Sequence, residues 1–324
     1  MKGKKLPPFL IIIWGLNLLG LIGVLIFFWI KNPFRAPPVL ASVEETFTAS
    51  PTSLAPAAPP TAYQLPTVTP NPRSTAIVGT TPTAVDLVQN TSDSLLIIGF
   101  SVEGRPLEVH KFGTGASERL IIAGIHGGYE WNTIALADEL IAELNAHPEL
   151  VPADVTLYIL RALNPDGDAI SHGYEGRANK NGVDLNHNFP YHWKENWNRE
   201  GCWNHLPITA GAFPASEPET ISLINFINLH QFDALISYHS AALGIFAGGM
   251  PPFALSIDLA KKLANSSPYL YPPIETGCEY SGNLTDWASS VKGIPSVDIE
   301  LSNHRDTDFG ANLRILGIFL KWQK

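Results

Sequence analysis

Short runs rich in apolar residues recur through the C-terminal two thirds of the chain, at 95–98, 120–125, 155–160, 234–238 and 297–301, each bounded by turn residues. Runs of this length predict buried strands. Between them the period changes. Positions 133–144 carry apolar residues at helical spacing, and S-E-P-E-T at 216–220 opens a second helical run that reaches His230. There Ser216 is placed to cap the helix, Pro218 falls in the first turn, and Glu219 completes a capping box. Strands alternating with helices predict an α/β domain with a mixed, mostly parallel central sheet and helices on both faces. In such folds ligands bind beyond the carboxyl ends of the strands, and His126, His239 and Glu300 fall at or near such ends.

The first 90 residues have a different pattern. Residues 9–30 contain no charge and only Asn17 is clearly polar; as a helix rising about 1.5 Å per residue they would span roughly 33 Å. This predicts a single transmembrane anchor. A cleaved signal peptide is the alternative, although its nearest small-residue site, V-L-A at 39–41, lies well past the apolar core. Lys2, Lys4 and Lys5 precede the span, which places residues 1–8 in the cytoplasm and the rest of the chain outside, at the cell membrane. Residues 31–90 hold 11 Pro, 10 Thr and 4 Ser with no sustained hydrophobic period, so they read as a disordered linker. The remaining span, 91–324, is one domain of ordinary α/β size, with no internal repeat.

Charge and cysteine content narrow the function classes. From Thr91 onward 27 acidic residues face 15 basic ones, a net charge near −12, which argues against a nucleic-acid partner. The two cysteines, Cys202 and Cys278, both lie in the exported part, where a bridge and two free thiols are equally open.

Candidate chemistry gathers at the strand ends. Zinc hydrolases commonly use three His or carboxylate ligands, a general base and a positive group for the oxyanion. His126, Glu130 and His239 can supply the ligands, Glu300 the base and Arg177 the oxyanion donor. Each has a plainer reading: His126 and Glu130 in a solvated loop, His239 as a satisfied core histidine, Arg177 as a surface arginine. Glu300, in S-V-D-I-E-L-S, is the most unusual, because a carboxylate in an apolar strand needs a partner.

Several segments, taken in order, resemble the zinc carboxypeptidases of the carboxypeptidase A superfamily, over nearly all of residues 94–323. They are I-I-G-F-S-V-E-G-R-P-L, A-G-I-H-G-G-Y-E-W, L-N-P-D-G, G-R-A-N-K-N-G-V-D-L-N-H-N-F-P, P-A-S-E-P-E-T, S-Y-H-S, the stretch 280–287, and I-E-L at 299–301. The resemblance implies one zinc ion held by His126, Glu130 and His239. It also implies that Arg177 polarises the carbonyl, and that Glu300 activates a water at the metal and passes its proton to the leaving amine. Asn186 would bind the substrate's terminal carboxylate, Tyr280 would close over the substrate, and Thr285 and Asp286 would form the base of the pocket for the released side chain. Two departures stand out. The family separates its His and Glu by two residues, whereas G-G-Y makes three here, and His187 stands where the family has a carboxylate-binding arginine. Gly127 and Gly128 allow the extra residue to be looped out, but a histidine is a weaker clamp than an arginine.

The expected protein is therefore an extracytoplasmic, membrane-anchored metallocarboxypeptidase with a monomeric catalytic domain that acts on peptides. The alternatives are a cell-wall (murein) peptide amidase of the same fold and an inactive peptide- or wall-binding module. Thr285 points to a small or polar released residue.

Overall fold

Apolar runs that alternate their side chains between two covered faces produce the central sheet. The computed structural model describes residues 89–92, 94–199, 206–241 and 243–324. The predicted anchor at 9–30 lies outside these residues, as does nearly all of the linker. Among the described residues no helix is long and apolar enough to cross a membrane. The strands are β1 (Gln89–Ser92), β2 (Leu95–Phe100), β3 (Pro106–Phe112), β4 (Ser117–Ile122), β5 (Val155–Leu160), β6 (Phe232–Ser240), β7 (Ile245–Ala247) and β8 (Ser296–Leu301), paired in the order β1-β2-β3-β5-β4-β6-β8-β7. All five predicted strands form. Gln89 and Asn90 belong to the sheet rather than to the linker.

The expectation of a mostly parallel sheet is corrected. β5, β4, β6 and β8 run parallel, but β1, β2, β3 and β7 join antiparallel, so antiparallel pairings outnumber parallel ones. The β2–β3 connection explains part of this: Ser101 N donates to Arg105 O at 2.8 Å and closes a short turn, a link that only antiparallel neighbours can use.

Among the described residues there are six α-helices: α1 (Trp131–Ala146), α2 (Pro165–Ile170), α3 (Pro218–Asn228), α4 (Ala254–Ala264), α5 (Leu284–Ser290) and α6 (Phe309–Lys321). On one face Leu136 and Leu140 of α1, Leu263 of α4 and Phe319 of α6 pack on Ile121, Leu157, Ile236 and Val297. On the other, Leu223 and Phe226 of α3 and Trp287 of α5 pack on Leu120, Ile122, Leu160 and Leu235. Each such side chain, fully buried, contributes about 1.5–3 kcal/mol. Helices on both faces agree with the sequence reading. The predicted capping box does not form. Glu217 is the N-cap of α3, and Ser216 Oγ donates to its carboxylate at 2.6 Å. Glu219 is fully buried and accepts from Val102 N at 3.0 Å and Asn179 Nδ2 at 3.1 Å, so tertiary partners displace the local cap and tie α3 to the β2–β3 turn.

The face of β6 that carries Leu235 also carries Ser237 and His239, and the same face of β8 carries Asp298 and Glu300. His239 and Glu300 are register partners. The apolar pattern of the two strands is thus broken on one face only, at their carboxyl ends.

Candidate metal centre

The turn between β4 and α1 decides whether Glu130 can meet the histidines. After β4 the chain enters a 3₁₀ turn, Gly128–Glu130, that runs directly into α1. Gly128 has φ +63°, and a Cβ at that position would lie 2.2 Å from Gly173 O, so glycine is required. Glu130 N donates to Gly127 O at 3.2 Å. The added residue is absorbed in this turn, with the ring of Tyr129 edge-on to Tyr174 at 4.3 Å. Glu130 itself is buried, its Oε1 2.9 Å from His126 Nδ1 and its Oε2 3.1 Å from His239 Nδ1. The loop reading of His126 and Glu130 and the core reading of His239 are both replaced by a convergent triad.

This triad fits zinc. One donor atom from each of His126, Glu130 and His239 lies within 4.8 Å of the others, and the ligand atoms of a tetrahedral zinc site are spaced about 3.3 Å apart. Both histidines turn Nδ1 to the common point and keep Nε2 for an outer partner. His126 Nε2 is 2.9 Å from Asp184 Oδ1; His239 Nε2 is 3.5 Å from Asp298 Oδ1 and 3.1 Å from Ser237 Oγ. A carboxylate behind each imidazole fixes its tautomer and raises its basicity, as ligand histidines require. Burial opposes ionisation of Glu130, but the charge and hydrogen bond of His126, with a further bond from His239, hold it well below the usual carboxylate range. Burial likewise opposes ionisation of Asp184, and Arg177 and His126 keep it ionised.

The other predicted residues line one cleft of about 510 Å³ together with the triad. Arg177 is no surface residue: Nη1 donates to Glu130 Oε1 and Nε to Asp184 Oδ2, both at 2.9 Å. Burial pushes the Glu300 carboxyl up to about 7, and its buried Oε2 has no hydrogen-bond partner. Asn186 accepts from Leu284 N at 3.0 Å, with its amide nitrogen 3.5 Å from His239 Nε2. His187 is buried, stacks on Trp197 with ring centroids 4.0 Å apart, and lies 3.3 Å from Ser281 Oγ. Burial lowers its pKa to about 4, so its imidazole is neutral at physiological pH. Tyr280 stands at the rim, its hydroxyl 3.2 Å from Thr276 Oγ1. Thr285 does not offer its hydroxyl to the pocket; Oγ1 donates to Asp298 Oδ2 at 2.6 Å. Asp286 accepts from Gly249 N at 2.7 Å.

Asp184, Asp298 and Trp197 join the site without having been singled out by sequence. For Asp298 the signal was present, two residues before Glu300 and therefore on the same strand face. Cys278, also in the cleft lining, is disulfide-bonded; the chain's other cysteine, Cys202, lies outside the described residues.

Residues 85–313 match the family model of the zinc carboxypeptidases. The chain is similar to carboxypeptidase A5 of Macaca fascicularis, with 31% identity over 248 residues, 64% of this chain and 55% of that protein. It is also similar to murein peptide amidase A of Escherichia coli K12, with 33% identity over 148 residues, 44% of this chain and 57% of that protein. It thus spans little more than half the length of these relatives. Among solved structures, murein-tripeptide amidase MpaA from Escherichia coli O157 shares the fold at 24% identity and TM-score 0.53, covering 74% of this chain and 98% of that one. Bovine thrombin-activatable fibrinolysis inhibitor does so at 20% identity and TM-score 0.57, covering 72% and 89%.

Proposed function

Because this chain belongs to the zinc carboxypeptidase family, we propose that it is a zinc-dependent hydrolase that cuts a peptide or amide bond near the C-terminal end of a peptide. The observation that carries the reading is Glu300: a half-buried carboxylate whose buried Oε2 has no hydrogen-bond partner, in register with His239 and facing the same cleft. Zinc, when bound, supplies a Lewis acid that polarises the scissile carbonyl and acidifies water. Glu300 takes the proton of the attacking water and delivers it to the leaving nitrogen. Arg177, held in place by Glu130 and Asp184, brings a permanent positive charge to the cleft where the carbonyl oxygen gains negative charge. Asn186 and His187 orient the substrate beyond the scissile bond, and Tyr280 closes the rim.

Within this class a cell-wall peptide amidase is favoured by His187. A neutral imidazole cannot provide the ionic clamp that a free terminal carboxylate asks of a carboxypeptidase. The similarity to murein peptide amidase A is consistent with this choice. The charge-free segment 9–30 supports display of the domain outside the cell on a membrane anchor. Membrane fractionation with protease-accessibility mapping of the full chain tests the anchor.

Activity is tested by incubating the zinc-loaded full chain with peptides carrying free or amidated C-termini and with murein peptides, against Glu300→Gln as control. The expected result is cleavage that depends on Glu300, with amidated and free termini cut at rates within about tenfold. A protein that binds no zinc and cleaves nothing beyond the Gln variant would leave only a binding module of the same fold.

A further inference from the structure

The domain is acidic as a whole, yet residues 259–274 and 309–324 carry Lys261, Lys262, Arg314, Lys321 and Lys324 and not one acidic side chain. These stretches form the end of α4, the loop after it and all of α6. Between them runs a groove of about 660 Å³ that shares no residue with the catalytic cleft; Lys262, Ser266, Arg314, Gly317, Lys321 and Trp322 line it. Its cations are poorly neutralised. Arg314 is held by main-chain oxygens, Nη1 donating to Gly310 O at 2.7 Å and Nε to Ser266 O at 3.3 Å. Lys321 has no ion-pair partner among the described residues. Lys262 meets Asp258 at 2.9 Å in an exposed pair on one helix, a kind that contributes little, and Asp258 also accepts from Trp322 Nε1 at 2.9 Å.

Gly317 opens the floor of the groove. It lies inside α6, where glycine is among the poorest helix formers, and a Cβ there would meet nothing within 4 Å. Packing therefore gives no reason for glycine. Gly310, Arg314, Gly317 and Lys321 follow at spacings of four, three and four, so they share one face of α6. Bare helix backbone alternates there with positive charge.

We propose that this groove binds a linear polyol-phosphate polymer, laid along α6 across Gly317 with its phosphates on Arg314, Lys321 and Lys262. Arg314 and Lys321 are about 10.5 Å apart along the helix axis, and the bonds to Gly310 and Ser266 draw the guanidinium away from Lys321. One anionic group does not meet both, so the ligand carries several in series. The donors come from α4, from α6 and from Ser266 in the loop, and they do not share a plane. A tetrahedral phosphodiester accepts from such directions, whereas a carboxylate accepts near its own plane. The indole of Trp322 is 3% exposed, so the groove offers no aromatic face on which a nucleic-acid base could stack. The bare backbone at Gly317 lets the polymer chain approach the helix closely. The acidic remainder of the domain repels such a polymer, but at physiological ionic strength that repulsion fades over about 8 Å, and the cations in contact decide. A polymer held here leaves the catalytic cleft open, so the site serves attachment rather than hydrolysis and does not depend on the hydrolase reading.

The test is calorimetry on the full chain in detergent with poly(glycerol phosphate), glycerol phosphate, polyglutamate and single-stranded DNA. The expected result is an affinity for poly(glycerol phosphate) at least tenfold above that for each of the other three. Two variants locate the site. Lys262→Gln combined with Lys321→Gln removes two of the cations, and Gly317→Leu fills the floor while improving helix propensity. Each is expected to keep the wild-type fold by circular dichroism and to weaken polymer binding at least fivefold. Should Gly317→Leu fail to fold, the lysine pair decides alone. The proposal is overturned if the wild type does not bind the polymer, if the folded variants lose less than fivefold, or if any other probe binds within tenfold of it.

Discussion

Glu300 has two requirements that pull apart: it must be ionised to take a proton, yet it is half-buried among carboxylates that favour the neutral form. Its folded pKa of about 7 follows chiefly from burial, with the charges of Glu130 and Asp298 raising it and those of His239 and Arg177 lowering it. Only the carboxylate acts as a base, so the rate falls as pH drops through this value. The positive charge of zinc acts to lower it further, so the acid limb of kcat/KM is expected at or below about pH 7. Glu300→Gln is expected to lose about 10²–10⁴ in kcat and to have no such limb, while keeping its zinc; pH–rate profiles with parallel metal analysis check both. The carboxylates behind the histidines act through position rather than by touching substrate. Asp184→Asn and Asp298→Asn are each expected to weaken zinc binding about 10–100-fold, measurable by competition with a chelator of known affinity. His126, His239 and Glu300 were legible as candidates because they fall at or near the ends of apolar runs, whereas Glu130 was legible only through the family resemblance of A-G-I-H-G-G-Y-E-W. Asp184 was not, since its role exists only where G-V-D-L-N folds back onto His126, at 2.9 Å.

The β4–α1 turn holds the element on which the site depends. Without the left-handed Gly128 the added residue would carry Glu130 out of register with the histidines. Gly128→Ala imposes the left-handed cost of about 1–2 kcal/mol on a side chain and sets a Cβ 2.2 Å from Gly173 O. The variant is expected to lose at least about 2 kcal/mol of stability and most of its zinc, measured by thermal unfolding and metal content; full occupancy at unchanged Tm would show that the turn tolerates a side chain. The same contrast between local and distant partners governs what the sequence revealed of the elements. The central strands β4, β5, β6 and β8 are covered on both faces and read as apolar runs. β3, P-L-E-V-H-K-F, alternates charge with apolar residues, and β7 has only three residues, so neither announces itself. Pairing direction is not encoded in a run at all, which is why the sheet proved more antiparallel than expected. Ser216 looked like a cap because the rule is local, and buried Glu219 answers to the β2–β3 turn and Asn179 instead.

For the molecule as a whole, the triad draws together segments that the chain reaches separately: the turn before α1, the end of β6 and, through Asp184 and Asp298, the 3₁₀ turn at Leu185–His187 and strand β8. An ion at that junction binds the folded domain and finds no equivalent site in the unfolded chain. By mass action, free zinc at a thousandfold above its dissociation constant adds about 4 kcal/mol to stability, which for a domain of this size corresponds to a rise in Tm of roughly 8–16 °C. Chelation of the full chain is therefore expected to lower Tm by about that amount and to abolish hydrolysis, with both restored by zinc. His239→Ala separates this linkage from nonspecific effects of the chelator. It removes one ligand nitrogen without touching the turn or the cleft rim, so its Tm should already be low and should not respond to chelator. A wild-type Tm indifferent to chelation, in protein shown to have held zinc beforehand, would place the ion somewhere other than among His126, Glu130 and His239.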